Sequence, residues 1–333
     1  MSRPSSVAAS NVTVSVPARL HLGFMDLNGG LGRRFGGIGL ALRGLGTTIT
    51  IGTAAHTQVQ GPERERARAC LDAMRRLLDR DGAYHLSVDE TVPAHAGLGS
   101  GTQIALAVAA GVRRLHDLPL DVPGDAIHLG RGARSGIGIG LFTRGGLVVD
   151  GGRGPNATAV PPIISHMPFP DSWGVLVVLD PACQGLHGRE EAAAFAALPA
   201  FSTDEAARLC RLVVMQLLPA LAERDLAGFS AAIKELQMRL GDFYAPVQGG
   251  HRFTSPRVAA ALALLEHEGA TGVGQSSWGP TGFAFVPSRA EAARLATIAR
   301  QHPGCRGLDI RVCAALNRGA DIKAHAAADA HER

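Results

Sequence analysis

The chain has 333 residues, 46% of them apolar, with a mean hydropathy of +0.11, enough to bury a sizeable core. No apolar run is long enough to span a bilayer and residues 1–10 are polar without a secretory core, so membrane insertion is excluded and a cytoplasmic location is expected. The formal charge is +4 and the pI 9.0, but the basic residues are scattered and aromatics make up only 5%, which argues against a nucleic-acid surface and suits a phosphorylated small molecule.

Cys70, Cys183, Cys210, Cys305 and Cys313 form no paired motif and are odd in number, which fits reduced packing residues better than disulfides or a zinc site. The only lysines are Lys234 and Lys323, so any phosphate clamp must use arginine forks, backbone amides or hydroxyls.

In chain order, Val12-Thr13-Val14-Ser15-Val16 alternates as a half-buried strand. A glycine-dense stretch follows over residues 18–40, around Asp26, Asn28, Arg33 and Arg34. Its conformational-entropy cost is high for a plain connector, so we read it as a substrate-facing loop between strands. Asp26 could hold a metal or steady a developing cation, and Arg33 could grip a phosphate, although a solvated turn with a surface ion pair has the same composition. Arg19 and His21 share strand parity and could face one cleft; taken alone, a satisfied core histidine is the plainer reading of His21.

Residues 45–60 read as a second strand, and 63–81 as an amphipathic helix whose arginines, Arg66 among them, form a solvated face. A strand at Tyr84-His85-Leu86-Ser87-Val88 then delivers the chain to Pro93-Ala94-His95-Ala96-Gly97-Leu98-Gly99-Ser100-Gly101-Thr102-Gln103. Alternate glycines turn amides inward here, Thr102 is the expected cap of an apolar helix, and the Ser100 and Thr102 hydroxyls add donors: an anion cradle of undetermined anion. It matches neither the P-loop nor the dinucleotide fingerprint.

The first half closes with a helix over 125–132, the segment Arg134-Ser135-Gly136-Ile137-Gly138 and a strand over 146–150. Residues 155–170 read as a proline-rich linker. The second half begins with a buried strand at 173–179 and continues with helices over 203–221, 226–240 and 255–268. Between the last two lies a polar glycine loop, 242–252, that contains Gln248-Gly249-Gly250. A third glycine loop follows, Gly272-Val273-Gly274-Gln275-Ser276-Ser277-Trp278-Gly279-Pro280-Thr281-Gly282. Its hydroxyls suit an oxyanion, and Trp278 could floor a pocket for a flat ring. Residues 321–333 read as a mobile tail.

Val16-Pro17-Ala18-Arg19-Leu20-His21-Leu22-Gly23, the 93–102 loop and the 272–282 loop, in this order, resemble the motifs of the superfamily of galactokinase, homoserine kinase, mevalonate kinase and phosphomevalonate kinase. The resemblance implies a two-domain α/β (α+β) fold. An N-terminal α/β domain would occupy 11–165 and a ferredoxin-like C-terminal domain 170–320, with the site in the cleft between them. Three departures matter. Ser135-Gly136-Ile137-Gly138 stands where such kinases often carry an aspartate base, Gly101-Thr102-Gln103 replaces Ser-Ala-Ala, and Gln275-Ser276-Ser277-Trp278 replaces a plain glycine run.

Together with His21-Leu22-Gly23-Phe24-Met25-Asp26-Leu27-Asn28-Gly29 and the Gln248 motif, these variants resemble the β-ribofuranosylaminobenzene 5′-phosphate synthase family. The resemblance implies condensation of phosphoribosyl pyrophosphate with 4-aminobenzoate, releasing carbon dioxide and pyrophosphate, on the way to tetrahydromethanopterin. It also implies a homodimer and magnesium, with no requirement for ATP. Asp26 and Arg33 would be catalytic. Arg19, His21, Asn28, Gly97, Gly99, Ser100, Gly101, Thr102, Gln248, Gln275, Ser276, Ser277 and Trp278 would bind substrate, and Asp26 could meet the metal through magnesium pyrophosphate. An ATP-dependent kinase and a catalytically silent binding protein are the rival readings.

Overall fold

The computed structural model describes residues 11–155, 158–186 and 188–326. Strands β1 (Asn11–Asp26) and β2 (Phe35–Ala54) form a long antiparallel hairpin, followed by β3 (Gln58–Gln60), α1 (Arg64–Leu77), β4 (Ala83–Glu90), α2 (Ser100–Leu115), α3 (Val122–His128), α4 (Ile137–Arg144), β5 (Leu147–Asp150) and β6 (Ile163–Met167). The second half holds β7 (Gly174–Leu179), α5 (Gly188–Ala197), α6 (Thr203–Leu212), a π turn at Val213–Leu217, α7 (Leu218–Glu223) and α8 (Leu226–Tyr244). Then come α9 (Pro256–His267), β8 (Thr271–Gln275), β9 (Gly282–Val286), α10 (Arg289–Gln301), β10 (Asp309–Ala315) and β11 (Asp321–His325). Among the described residues no helix is long and apolar enough to cross a membrane.

The order β10-β7-β9-β8, all antiparallel, is the ferredoxin-like arrangement expected for the second half, with α8 and α9 between its first two strands in sequence and α10 between its last two. The halves are not separate sheets. Asp309 to Cys313 of β10 pair with β7, and Ala314 and Ala315 pair with Arg43 and Leu42 of β2 respectively, so one sheet runs through both halves. One apolar core likewise spans both halves, joining Leu20 and Leu40 to Val175, Leu236 and Phe285.

Several sequence expectations are corrected. Residues 18–40 are mostly strand: β1 continues to Asp26 and β2 begins at Phe35, leaving 27–34 as the loop. Gly39 is small because a Cβ there would lie 2.8 Å from Cδ1 of Ile137, so it admits α4 against the sheet. Helix α2 starts at Ser100 with Gly99 as its cap at φ 83°, a left-handed conformation that glycine adopts without strain; the Thr102 amide donates to the Gly99 carbonyl at 3.0 Å. The supposed linker contains β6, paired with β5, and the supposed tail contains β11, paired with β1 from Asn11↔His325 to Ser15↔Asp321. Residues 327–333 of that tail lie outside the described residues.

Candidate active site

The three glycine loops meet. Ser276, fully buried at the end of β8, donates its hydroxyl to the Gly97 carbonyl at 2.8 Å and accepts from the His21 amide at 3.0 Å, while the Ser277 amide donates to the His21 carbonyl at 3.2 Å. A Cβ on Gly97 would collide with the Ser276 carbonyl, and one on Gly279 with the Ala96 carbonyl, so both glycines are required by contact between backbones. His95, Gly97 and Gly99 have φ of 59°, 82° and 83°, the alternation that turns amides into an anion-binding nest ahead of the α2 N-terminus.

This nest lines a cleft of about 360 Å³ together with Arg19, Arg66, Ser100, Gly101, Thr102, Arg131, Glu191, Ser277 and Trp278. Arg19 is its chemical centre. Its Nε and Nη1 are buried without a hydrogen-bond partner, directly under Gly99, where a Cβ would lie 2.6 Å from Nε. Burial holds the Arg19 pKa down at about 10, against the opposing pull of the Glu191 carboxylate. Glu191 is itself paired with Arg134 at 2.6 Å and Arg66 with Glu63, which leaves Arg19 and Arg131 as the cleft guanidiniums with buried nitrogens lacking a hydrogen-bond partner among the described residues. Arg66, read from sequence as part of a solvated helix face, turns into the cleft at the start of α1.

Beside the cleft, sharing Ser277 and Trp278 as a wall, is a cavity of about 30 Å³ bounded also by His21, Phe24, Gln237, Leu240 and Tyr244. His21 is not the satisfied core histidine that sequence favoured. Both ring nitrogens, and the Tyr244 hydroxyl, are buried with no hydrogen-bond partner. Burial first, then the Arg19 charge, press the His21 pKa to about 3, so the ring is neutral at ordinary pH; burial pushes the Tyr244 phenol up. Trp278 is 4% exposed, edge-on to Phe195 at 4.9 Å and tilted on Tyr244 at 4.4 Å, so it packs as a wall and is no open floor.

The other predicted residues brace this centre. Gln275 donates to the Gln248 side-chain oxygen at 3.0 Å and to the Ser277 carbonyl at 3.1 Å, and its amide donates to Gln237 Oε1 at 2.8 Å. Gln237 in turn donates to the Leu22 carbonyl at 2.6 Å, tying α8 to β1. Neither Asp26 nor Arg33 lines the cleft or the cavity. Asp26 Oδ1 accepts from the amides of Asn28 at 2.7 Å and Gly29 at 2.9 Å, and Asn28 donates to the Phe201 carbonyl at 2.6 Å. Arg33 donates to the carbonyls of Gly151 at 2.7 Å and Gly152 at 2.6 Å.

The segment without an aspartate is held from behind by one. Asp150, fully buried, accepts from Ser135 Oγ and the Gly136 amide, both at 2.8 Å, and burial raises its pKa against those hydrogen bonds. It does not line the cleft. Sequence reasoning missed Gln237, Tyr244, Arg131, Arg134 and Glu191. Tyr244 was visible as a tyrosine in the polar 242–252 stretch, but nothing local indicates that α8 runs on to place it inside.

Residues 65–145 match the GHMP kinases N-terminal domain and 217–303 the GHMP kinases C-terminal family. Among solved structures, homoserine kinase from Cytophaga hutchinsonii superposes with a TM-score of 0.71 at 14% identity, over 97% of this chain and 99% of that one, which establishes the fold. Beta-ribofuranosylphenol 5′-phosphate synthase from Methanothermobacter thermautotrophicus is 30% identical over 328 residues, covering 92% of this chain and 97% of that relative. The protein of that name from Archaeoglobus fulgidus is 33% identical over 320 residues, covering 92% and 98%. With a kinase scaffold, a glycine nest over a buried arginine and this breadth of likeness, the chain is an enzyme of the beta-ribofuranosylphenol 5′-phosphate synthase family.

Proposed function

We propose that this enzyme is a decarboxylating phosphoribosyltransferase that joins phosphoribosyl pyrophosphate to a para-substituted benzoate, 4-aminobenzoate or the 4-hydroxybenzoate suggested by the phenol in its relatives' name. The observation that carries the reading is Arg19: a guanidinium buried in the cleft without a protein partner is costly unless an anion completes it. The Gly97 to Thr102 amides and hydroxyls and Arg131 line the same cleft and add donors for a diphosphate or 5′-phosphate, as does Arg66, itself paired with Glu63.

In this reaction the ribose C1–oxygen bond breaks and its electron pair leaves with pyrophosphate. The ring carbon bearing the carboxylate attacks C1, and the bond to the carboxylate then breaks, its electron pair restoring aromaticity as carbon dioxide departs. No proton passes to the protein, which agrees with Ser135-Gly136-Ile137-Gly138 carrying no base. The cleft residues do electrostatic work: the nest and Arg19 stabilise charge gathering on the leaving diphosphate.

Among the described residues no three acidic, histidine or cysteine side chains converge, and Glu191, which lines the cleft, is engaged by Arg134, so magnesium here would take most of its ligands from the diphosphate and water. Any ion would arrive with the diphosphate, and no step above uses one.

Incubation with phosphoribosyl pyrophosphate and each acid, following carbon dioxide and pyrophosphate, tests the reading. Stoichiometric release of both supports it. ADP formed from ATP and a small alcohol, with no carbon dioxide, would instead mark a kinase.

A further inference from the structure

The cavity behind the Ser277–Trp278 wall is not used by the phosphate chemistry. Its volume of about 30 Å³ is room for one water-sized group. It is chemically specific: two imidazole nitrogens and a phenol oxygen, from β1 and the end of α8, are buried in its lining and unpaired. Burying such groups without partners costs free energy that nothing in the packing recovers, so the arrangement is explained by a guest that supplies the missing hydrogen bonds.

Resting on the reaction proposed above, we propose that this cavity receives the para substituent of the aromatic acceptor, and that His21 and Tyr244 are the residues that select an amino or hydroxyl group there. The size admits one heavy atom with its hydrogens. A neutral imidazole offers one donor and one acceptor and a phenol offers both, which matches a hydroxyl or an aromatic amine. A cationic substituent is disfavoured because Arg252 lines the cavity, Arg19 and Arg134 act on His21 from outside, and no carboxylate is among the described lining residues.

The geometry also orients the reaction. The reacting carbon lies at the opposite end of the ring from the substituent, so a substituent in the cavity directs that carbon through the shared wall toward the cleft and the sugar. Entry of the ring requires this wall to move, and its strained member is Ser277, a non-glycine residue at φ 56°.

The test is isothermal titration of the full chain, in the presence of inorganic pyrophosphate, with 4-aminobenzoate, 4-hydroxybenzoate, benzoate and 4-methylbenzoate. The methyl group matches the amino group in size and has no polar hydrogen. The expected result is that both polar-substituted acids bind at least about tenfold more tightly than 4-methylbenzoate. In Tyr244→Phe, which keeps the ring contact with Trp278, that ratio should fall to about twofold or less while benzoate is unaffected. A ratio near one in the wild-type chain means that the cavity holds a buried water only and overturns the proposal, with no variant needed. A ratio undiminished in Tyr244→Phe removes Tyr244 from the selection and overturns it too. The assignment and the reaction fail separately: tight, substituent-dependent binding without release of carbon dioxide from phosphoribosyl pyrophosphate would remove the reaction and leave the pocket, whereas turnover with a ratio near one would remove only the pocket.

Discussion

The Ser276 hydroxyl and the Gly97 carbonyl, 179 residues apart in sequence, are joined by a hydrogen bond of 2.8 Å that closes the anion nest against the third glycine loop. Because Ser276 is wholly buried and also accepts from the His21 amide, replacing it strands a donor and an acceptor at once. Ser276→Ala should cost about 1–3 kcal/mol, visible as a lower urea midpoint, and should lower kcat by more than the loss of folded protein explains. An unchanged midpoint would show that the loops are held by packing alone.

Arg19 offers the opposite sign. Its buried, unpaired charge opposes folding at pH 7, so Arg19→Met, which retains the stem under Gly99, should leave the melting temperature unchanged or raise it. The same variant should raise KM for phosphoribosyl pyrophosphate by about a hundredfold, through loss of a charge-assisted hydrogen bond. A clear drop in melting temperature would count against Arg19 as an anion receptor kept at the expense of stability.

His21 predicts acid sensitivity. Its folded pKa of about 3 lies below the ordinary 6.5, so between those values the unfolded chain binds a proton that the folded chain refuses. The stabilisation is complete above pH 6.5 and is lost as pH falls toward 3. Urea midpoints measured from pH 7 to pH 4 should therefore fall less steeply for His21→Gln than for the wild type, and parallel slopes would refute the assignment.

Asp26 and Arg33 separate by choice of variant. Asp26→Asn keeps an oxygen to accept the Asn28 and Gly29 amides, whereas Asp26→Ala does not. If the carboxylate charge contributes to the reaction, Asp26→Asn lowers kcat at least about tenfold with an unchanged melting temperature. A wild-type rate in Asp26→Asn, with a lowered melting temperature in Asp26→Ala, would confine Asp26 to shaping its turn. Arg33, bonded to the Gly151 and Gly152 carbonyls outside the cleft, is expected to act as a brace: Arg33→Gln should lower the melting temperature with turnover within about twofold of the wild type, and a tenfold fall in turnover at an unchanged melting temperature would return it to the reaction.

What was legible in the sequence was local. Glycine alternation announces a backbone conformation at 97 and 99, although the third member of the nest is His95 and Gly101 already lies in α2. Distant pairing was not legible. The glycines after Phe35 read as loop because their reason is the approach of α4, about a hundred residues later, and Thr102 read as a cap because the left-handed Gly99 leaves no hydroxyl signature. Trp278 was found, but its surroundings were not: Phe195 and Tyr244 come from helices whose arrival depends on tertiary packing. The partners of a buried polar group are invisible for the same reason, which is why His21 looked satisfied until both ring nitrogens were seen without one.

Strand β10 stitches the first half of the chain to the second, while β11 lies along β1 at the far edge. A fragment ending at residue 165 would therefore leave β1 and β2 with bare backbone that strands from residue 309 onward cover in the whole chain. Helix α5, none of whose residues is buried, bears both Glu191, which lines the cleft and pairs with Arg134, and Phe195, which meets Trp278 edge-on, so an exposed helix carries part of the cleft wall.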